Sequence, residues 1–135
     1  HVIPAIIGKC VEARERGDDS ITAWGTGKPT REFLYVKDAA AGILDATERY
    51  DSSDPVNLGS GEEISIRELV ETIANETGFE GEIEWDTSKP YGQPRRKLDT
   101  SRAKDRFDWE ASTEFRDGLR ETIEWYETHR EELHE

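Results

Sequence analysis

Hydrophobic residues recur every three or four positions in separate stretches of the chain, which is the spacing of amphipathic helices. The first stretch begins at Pro4 and predicts a helix that ends near Gly17. A second helix is predicted over residues 66–77, because Ser65 and Glu68 form a capping-box pattern at its start. The spacing in both stretches indicates that each helix buries one face.

Three further helices are predicted from shorter patterns. Asp38 is placed to cap a helix over Ala39–Tyr50, and the turn-forming stretch 51–55 breaks it. A short helix is predicted over Ser101–Arg106. Ser112 is placed to cap the last helix, whose apolar residues have helical spacing: Phe115, Leu119, Ile123 and Tyr126.

Short extended segments are predicted between these helices. Ile21–Trp24 reads as a strand, Phe33–Val36 as a second extended run and Val56–Leu58 as a brief strand. Glu82–Trp85 alternates polar and apolar residues, as a half-buried strand does. Residues 88–96 form a Pro/Gly loop. The mixture of helices and short strands indicates an α/β fold, or α+β for the chain in isolation.

The composition is that of an acidic chain: 33% of residues are hydrophobic, 36% are charged, and the formal net charge is −13. Such a charge argues against binding to nucleic acid. No apolar run approaches the about 18 residues of a membrane span, so no membrane association is expected. The single Cys10 excludes an internal disulfide and fits a reducing compartment, so we expect a cytoplasmic location. Residues 1–135 are expected to form a single domain.

The acidic residues are spread along the chain, and arginine outnumbers lysine twelve to six. This pattern has two interpretations. It is typical of a well-solvated surface, and it is also compatible with adaptation to high salt.

The stretch Trp24-Gly-Thr-Gly-Lys28 looks at first like a phosphate-binding loop. A Walker loop requires G-x-x-x-x-G-K-[ST] between a strand and a helix, and a dinucleotide loop requires G-x-G-x-x-G. Here the glycine spacing fits neither motif, and Pro29 disfavours a helix directly after Lys28. The stretch is therefore predicted to be a turn between two extended segments.

The chain contains no complete catalytic set. Neither G-x-S-x-G nor Tyr-x-x-x-Lys occurs, and no metal site is predicted because the three histidines are far apart in sequence. What remains is a group of cations in an acidic chain: Lys9, Arg31, Lys89, Arg95 and Arg96. Arginine side chains match the oxygens of a diphosphate, but salt bridges to the abundant carboxylates are the commoner outcome for such residues.

Several stretches together resemble a known family. These are H-V-I-P-A (1–5), W-G-T-G-K-P-T-R-E-F-L-Y-V-K-D (24–38), N-L-G-S-G (57–61), S-K-P-Y-G-Q-P-R-R-K-L-D (88–99) and G-L-R-E-T-I-E-W-Y (118–126). In this order they resemble the C-terminal part of extended short-chain dehydrogenases, the NAD-dependent epimerase/dehydratase family. The first stretch, the tryptophan before G-x-G and K-P-x-G-x-P-R are similar to the GDP-L-fucose synthase family in particular.

The resemblance implies an NADP-dependent 3,5-epimerase and 4-reductase that acts on GDP-4-keto-6-deoxymannose. In that family a Rossmann domain carries the cofactor, the glycine motif and the Tyr-x-x-x-Lys group, none of which occurs here. We therefore expect a substrate-binding domain or fragment that is inactive and binds no cofactor by itself. Two alternatives stay open: a non-catalytic nucleotide-sugar-binding or interaction module, and a fragment of a related nucleotide-sugar epimerase/dehydratase.

The resemblance also implies roles for individual residues. His1 corresponds to the histidine beside the nicotinamide that acts as general acid, so it is the candidate for catalysis and cofactor contact. Lys9 corresponds to a cation near the substrate diphosphate. Trp24 and Arg31 correspond to residues that contact the nucleotide sugar. Arg96 corresponds to a substrate-binding cation that is usually lysine.

Tyr91 departs from the family pattern, because the K-P-x-G loop more often carries aspartate there. Tyr91 is therefore a candidate substrate contact that leaves the nucleotide and the sugar open. In an intact enzyme of this family the helix after Asp38 and the strand Val56–Leu58 would contact the Rossmann domain. Without that cover, exposed apolar surface favours self-association, so we expect a homo-oligomer.

Overall fold

The computed structural model describes residues 1–90 and 92–134 of the chain, and these contain five α-helices and five short strands. The helices are α1 (Val2–Arg16), α2 (Val36–Arg49), α3 (Ile66–Thr77), α4 (Ser101–Phe107) and α5 (Phe115–His129). The strands are β1 (Ser20–Trp24), β2 (Thr30–Arg31), β3 (Ile64–Ser65), β4 (Glu82–Asp86) and β5 (Arg95–Arg96). A single 3₁₀ turn, Glu132–His134, follows α5.

The predicted helices α1, α3 and α4 and the predicted strands β1 and β4 are confirmed. Helix α1 ends at Gly17, which adopts the left-handed conformation with φ 71° and ψ 30°. Helix α3 begins behind Ser65, whose Oγ accepts a hydrogen bond from the Glu68 amide at 3.1 Å. These elements follow from local sequence, because their caps and periodicity lie within a few residues of one another.

The prediction that Asp38 caps α2 is wrong. The helix begins at Val36, and Tyr35 occupies the N-cap position. Asp38 lies buried in the first turn, where its carboxylate accepts hydrogen bonds from Ser112 and Thr113. A partner from a distant segment therefore determines the position of this carboxylate, rather than the amides at the start of its own helix.

The extended run predicted over Phe33–Val36 is correct only in part. Tyr35 has extended dihedral angles, φ −67° and ψ 138°, but residues 33–35 join no strand, and Val36 already belongs to α2. The observed strand lies earlier, at Thr30–Arg31. Likewise, the segment predicted as an entirely irregular loop, residues 88–96, contains the short strand β5.

Two other local predictions are wrong. Val56–Leu58 forms no strand, because no described segment pairs with it; its apolar side chains instead contact the cluster around Phe107 and Trp109. Ser112 does not cap α5: Glu114 does, with its side chain accepting a hydrogen bond from the Asp117 amide at 3.2 Å. The Ser112 hydroxyl is directed to Asp38 instead, at 3.3 Å.

The strands form two small sheets among the described residues. Strand β1 pairs with β4 in parallel, from Ser20 opposite Glu82 to Trp24 opposite Asp86. Strand β2 is the middle of the second sheet, antiparallel to β3 and parallel to β5. The second sheet places Arg31 of β2 opposite Arg96 of β5.

The main hydrophobic core lies between α1, α3, α5 and strand β1. Its most buried side chains are Ile7, Cys10, Val11, Leu69, Val70 and Ile73. A second cluster is centred on Ala103, Phe107 and Trp109, beside α2. The α/β class predicted from the sequence is confirmed, and residues of β1, β3 and β4 belong to or contact the main core.

Candidate functional site

A cavity of about 430 Å³ lies where the start of α1, the turn after β1 and the strands β2 and β5 meet. Trp24, Arg31 and Arg96 line it, together with Gly27 and Pro29 of the turn and with Val2, Glu32, Phe33 and Ile66. The fold thus brings three of the sequence-predicted binding residues to one cavity, although Trp24 and Arg96 are 72 positions apart in sequence. The lining combines an aromatic ring with two guanidinium groups and one carboxylate, that of Glu32.

A larger cavity, of about 670 Å³, lies between the starts of α2 and α5. Its charged lining side chains are mainly carboxylates: Asp38, Glu62, Glu63, Glu68 and Glu114. Arg116 is the one basic residue among the described lining. A carboxylate-rich lining repels an anionic ligand, so the smaller, cationic cavity is the better candidate site for a phosphate-bearing compound.

Arg31 and Arg96 are held side by side by the register of the second sheet. Arg31 is half-buried, and its Nη1 donates a hydrogen bond to the Thr30 carbonyl oxygen at 2.7 Å. Within the described residues, neither Arg31 nor Arg96 forms an ion pair with a carboxylate. Two adjacent guanidinium groups of this kind suit the oxygens of a diphosphate.

Trp24 is exposed to 61% and has two cations near its ring. The Lys9 Nζ lies 5.8 Å from the centroid of the ring, and the Lys89 Nζ lies 5.7 Å from it. Lys9 also donates a hydrogen bond to the Thr22 carbonyl oxygen at 2.9 Å. An exposed indole with cations nearby offers a flat surface on which a base can stack. Lys9 therefore joins the cluster through Trp24.

His1 is exposed at the N-cap position of α1, where its carbonyl oxygen accepts a hydrogen bond from the Ala5 amide at 3.2 Å. It is not one of the residues that line the cavity, but its neighbour Val2 is. Tyr91, the remaining candidate, lies outside the described residues.

Two amides of the turn after β1 donate hydrogen bonds to other atoms of the protein. The Gly25 amide donates to the Asp86 carbonyl oxygen at 2.8 Å, and the Lys28 amide donates to the Thr26 hydroxyl at 3.3 Å. The carbonyl oxygen of Gly27 accepts from the Arg67 amide at 2.9 Å. This segment is a turn, as the sequence predicts, because these backbone groups are committed to neighbouring segments.

Glu32 in the cavity lining and Glu63 beside it are carboxylates that the sequence does not indicate as site residues. Glu63 pairs with Arg95 through two hydrogen bonds, and the pKa of its carboxyl is lowered to about 2, mainly by these bonds. Glu32 accepts hydrogen bonds from the amides of Gly61 at 2.9 Å and Leu98 at 3.3 Å. For Arg95 the salt-bridge interpretation is correct, and nothing in the local sequence indicates which glutamate supplies the partner.

The described residues contain no group of three His, Cys, Asp or Glu side chains that could hold a metal ion. In the same part of the chain, no helix is both long enough and apolar enough to cross a bilayer.

The whole of this site falls within a match to a known family. The family described as GDP-mannose 4,6 dehydratase matches residues 1–122. The chain belongs to this family. Within the GDP-mannose 4,6 dehydratase family, it is similar to GDP-L-fucose synthase 1 of Arabidopsis thaliana, with 42% identity over 126 residues. It is also similar to the GDP-L-fucose synthase of Escherichia coli, with 36% identity over 135 residues.

Solved structures of nucleotide-sugar enzymes share the fold of this chain. A GDP-L-fucose synthetase of Naegleria fowleri bound to NADP aligns with a TM-score of 0.86 and 33% identity. A GDP-mannoheptose C4 reductase of Campylobacter jejuni with NADP bound aligns with a TM-score of 0.83 and 29% identity. The chain is thus related to GDP-L-fucose synthases and to a GDP-mannoheptose C4 reductase.

These alignments span nearly all of the chain but only part of each relative. Each of the two sequence alignments includes 93% of this chain. They include 39% of the Arabidopsis protein and 42% of the Escherichia coli protein. The alignment with the Naegleria structure includes 97% of this chain and 41% of the Naegleria chain. The chain therefore spans about two fifths of the length of these relatives.

Proposed function

We propose that this chain is the substrate-binding portion of an NADP-dependent 3,5-epimerase and 4-reductase that converts a GDP-4-keto-6-deoxymannose type of sugar nucleotide to GDP-L-fucose. The observation that carries the proposal is the convergence of Trp24, Arg31 and Arg96 on one cavity. The relationship to GDP-L-fucose synthases supports the choice of substrate.

Each of these side chains has a chemical role in the proposal. The guanidinium groups of Arg31 and Arg96 bind the diphosphate oxygens or sugar hydroxyls, since paired guanidinium groups make charge-assisted hydrogen bonds. Trp24 stacks on the base, and Lys9 adds a positive charge beside the ring. In a chain of net charge −13, this cationic cavity is a local site that attracts an anionic substrate.

Catalysis requires groups that the described residues do not supply. At the turn Gly25–Lys28 the amides of Gly25 and Lys28 already donate to Asp86 and Thr26, and the glycine spacing matches no dinucleotide loop. We therefore assign NADP binding to a part of the enzyme outside this chain, with His1 as the residue that would approach the nicotinamide. An imidazole titrates near neutral pH, which suits delivery of a proton to an enolate carbon during epimerisation.

Isothermal titration calorimetry of this chain with GDP and with GDP-fucose tests the binding site. We expect binding of both, and we expect Arg96→Ala to weaken it by about tenfold, as for the loss of one charge-assisted hydrogen bond. Arg106→Ala is the matched control, because Arg106 is an exposed arginine on α4 that does not line the cavity. Equal loss in both variants, or no binding by the unmodified chain, would contradict the proposed site.

A second measurement tests the requirement for another part of the enzyme. Incubation of the chain with NADPH and the keto sugar nucleotide should give no turnover, because the proposal places NADP binding in another part of the enzyme. Turnover by the chain alone would contradict the proposal that this chain binds the substrate and another part of the enzyme binds NADP.

A further inference from the structure

Glu63 and Arg95 form the best-defined ion pair beside the proposed site. The Arg95 Nε and Nη2 donate hydrogen bonds to the two carboxylate oxygens of Glu63, each at 2.7 Å. The hydroxyl of Thr30 donates a third hydrogen bond to the same carboxylate at 3.0 Å. The Glu63 side chain is exposed to only 21%, so one carboxylate joins β5, β2 and the residue before β3.

This pair is positioned to hold a strand that has little support of its own. Strand β5 contains two residues, and the Thr30 amide donates to the Pro94 carbonyl oxygen, at 2.9 Å, where β5 begins. A two-residue ladder contributes few hydrogen bonds, so side-chain contacts are needed to keep it in register. The register is what places Arg96 beside Arg31.

Glu32 binds the backbone just after β5. Its carboxylate accepts the Leu98 amide at 3.3 Å and the Gly61 amide at 2.9 Å. Carboxylates therefore hold the chain before and after Arg96. Glu63 binds the preceding residue, Arg95, and Glu32 binds the amide of Leu98, two residues later. Neither Arg95 nor Glu63 lines the cationic cavity itself.

We propose that Glu63 and Arg95 are positioning residues, which set the affinity for an anionic ligand by holding Arg96 beside Arg31 without touching the ligand. This inference rests on the proposed function, because it deepens the same binding site. Two consequences follow. Arg95, although cationic, is not a ligand contact, and a negative charge near the site strengthens the binding of an anion.

The second consequence predicts the direction in which the affinity for an anion changes when the Glu63 carboxylate is removed. By charge alone, removing the carboxylate of Glu63 would tighten the binding of an anion, since a nearby negative charge is lost. If Glu63 positions Arg96, the same change weakens binding, because Arg96 is no longer held in place. The two effects are opposite, so the direction of the change decides between them.

The test measures the affinity of the chain for GDP by calorimetry in the variants Glu63→Gln and Glu62→Gln. The two substitutions remove the same charge from adjacent residues, but Glu62 is exposed and, among the described residues, forms no hydrogen bond or ion pair with β5. We expect Glu63→Gln to weaken GDP binding by about fivefold, as for a lost charge-assisted contact, and Glu62→Gln to leave it unchanged or slightly tighter. Equal or tighter binding in Glu63→Gln would overturn the inference.

A second readout does not depend on the ligand. Hydrogen exchange of the Thr30 amide reports whether β5 stays on β2, because that amide donates to Pro94. We expect faster exchange in Glu63→Gln and in Arg95→Gln, and unchanged exchange in Glu62→Gln. If the unmodified chain fails to bind GDP, the proposed function fails, and the exchange rates alone decide whether Glu63 holds β5. Unchanged exchange of Thr30 in both variants would overturn the positioning role in either case.

Discussion

Asp38 accepts two hydrogen bonds from Thr113, one from the main-chain amide and one from the hydroxyl, each at 3.0 Å. The two residues are 75 positions apart, and the contact joins the first turn of α2 to the segment that leads into α5. Ser112 donates a further hydrogen bond to the same carboxylate at 3.3 Å. Asp38 is exposed to only 7%, so its carboxylate depends on these partners rather than on water.

Asp38→Ala is therefore expected to lower the free energy of unfolding by about 2–3 kcal/mol, because it leaves buried donors without an acceptor. Urea denaturation followed by circular dichroism measures this loss. Asp45→Ala is the control on the same helix, since Asp45 forms an i,i+4 ion pair with Arg49 and should cost below about 0.5 kcal/mol. Similar losses in the two variants would contradict the assignment of Asp38 as a tertiary anchor.

Gly27→Ala is expected to destabilise the turn beside the proposed site more than a positive φ alone explains. A Cβ at Gly27, where φ is +75°, would lie 2.8 Å from the Trp85 ring and 2.9 Å from the Arg67 Cβ. At Gly17, with φ +71°, nothing lies within 4 Å of the added atom. We expect a loss of about 1 kcal/mol in Gly17→Ala and at least about 1 kcal/mol more in Gly27→Ala, measured by urea denaturation. Equal losses would show that the contact with Arg67 and Trp85 relaxes without cost.

The thiol of Cys10 is expected to be unreactive in the folded protein. Its side chain is fully buried, and desolvation raises its pKa to about 11. At pH 8 the native protein should react with an aromatic disulfide reagent at least about a hundredfold more slowly than the urea-unfolded chain, because the thiolate is the nucleophile. Spectroscopic release of the thiol chromophore measures both rates. A native rate close to the unfolded rate would show that α1 opens readily.

The contribution of Glu63 to stability should disappear at low pH. Hydrogen bonds from Arg95 hold the pKa of the folded carboxyl at about 2, whereas an unfolded glutamate titrates at about 4.3. A depressed folded pKa stabilises the protein above the unfolded pKa, and the effect is lost as the pH falls towards the folded value. The difference in unfolding free energy between the unmodified chain and Glu63→Gln should therefore be constant above about pH 5 and shrink between about pH 4.5 and 2.

That prediction is checked by denaturant titrations of both proteins at closely spaced pH values. A difference that stays constant down to about pH 2 would show that the pair with Arg95 does not persist in solution.

Self-association is expected through the exposed stripe of α2. Val36, Ile43 and Leu44 are exposed to 70%, 60% and 64%, and their spacing puts them on one side of the helix. Light scattering should show a mass above that of the monomer at high concentration, and Ile43→Glu should lower it. Ala41→Glu adds the same charge at an exposed position outside this stripe and should have a smaller effect. A monomeric mass at all concentrations would contradict the prediction.

The elements that the sequence predicts correctly are those whose signals are local. Helix α3 is a clear case, because its cap Ser65, the bonded amide of Glu68 and the terminating Gly78 all lie within its own stretch. The resemblance to the family likewise rests on contiguous motifs, and the family match over residues 1–122 agrees with it. Local interactions of this kind need no knowledge of the rest of the fold.

The wrong predictions concern residues whose partners are distant in sequence. Asp38 and Ser112 both resemble helix caps, yet each uses its side chain for the other, 74 positions away. Strands β2 and β5 contain only two residues each, which is too short for an alternating pattern to appear. Tertiary contacts override local preference at these positions because a buried polar group must find a partner wherever the fold supplies one.

The sequence by itself determined the fold class, the family and most of the cationic side chains that border the proposed site. Only the tertiary structure decided how those cations are used. Arg31 and Arg96 face one cavity because two short strands align in parallel, while Arg95, the immediate neighbour of Arg96, is held by Glu63. The physical reason is that adjacent side chains on a strand point to opposite faces, and which face meets a carboxylate depends on the register of chain segments far apart in sequence.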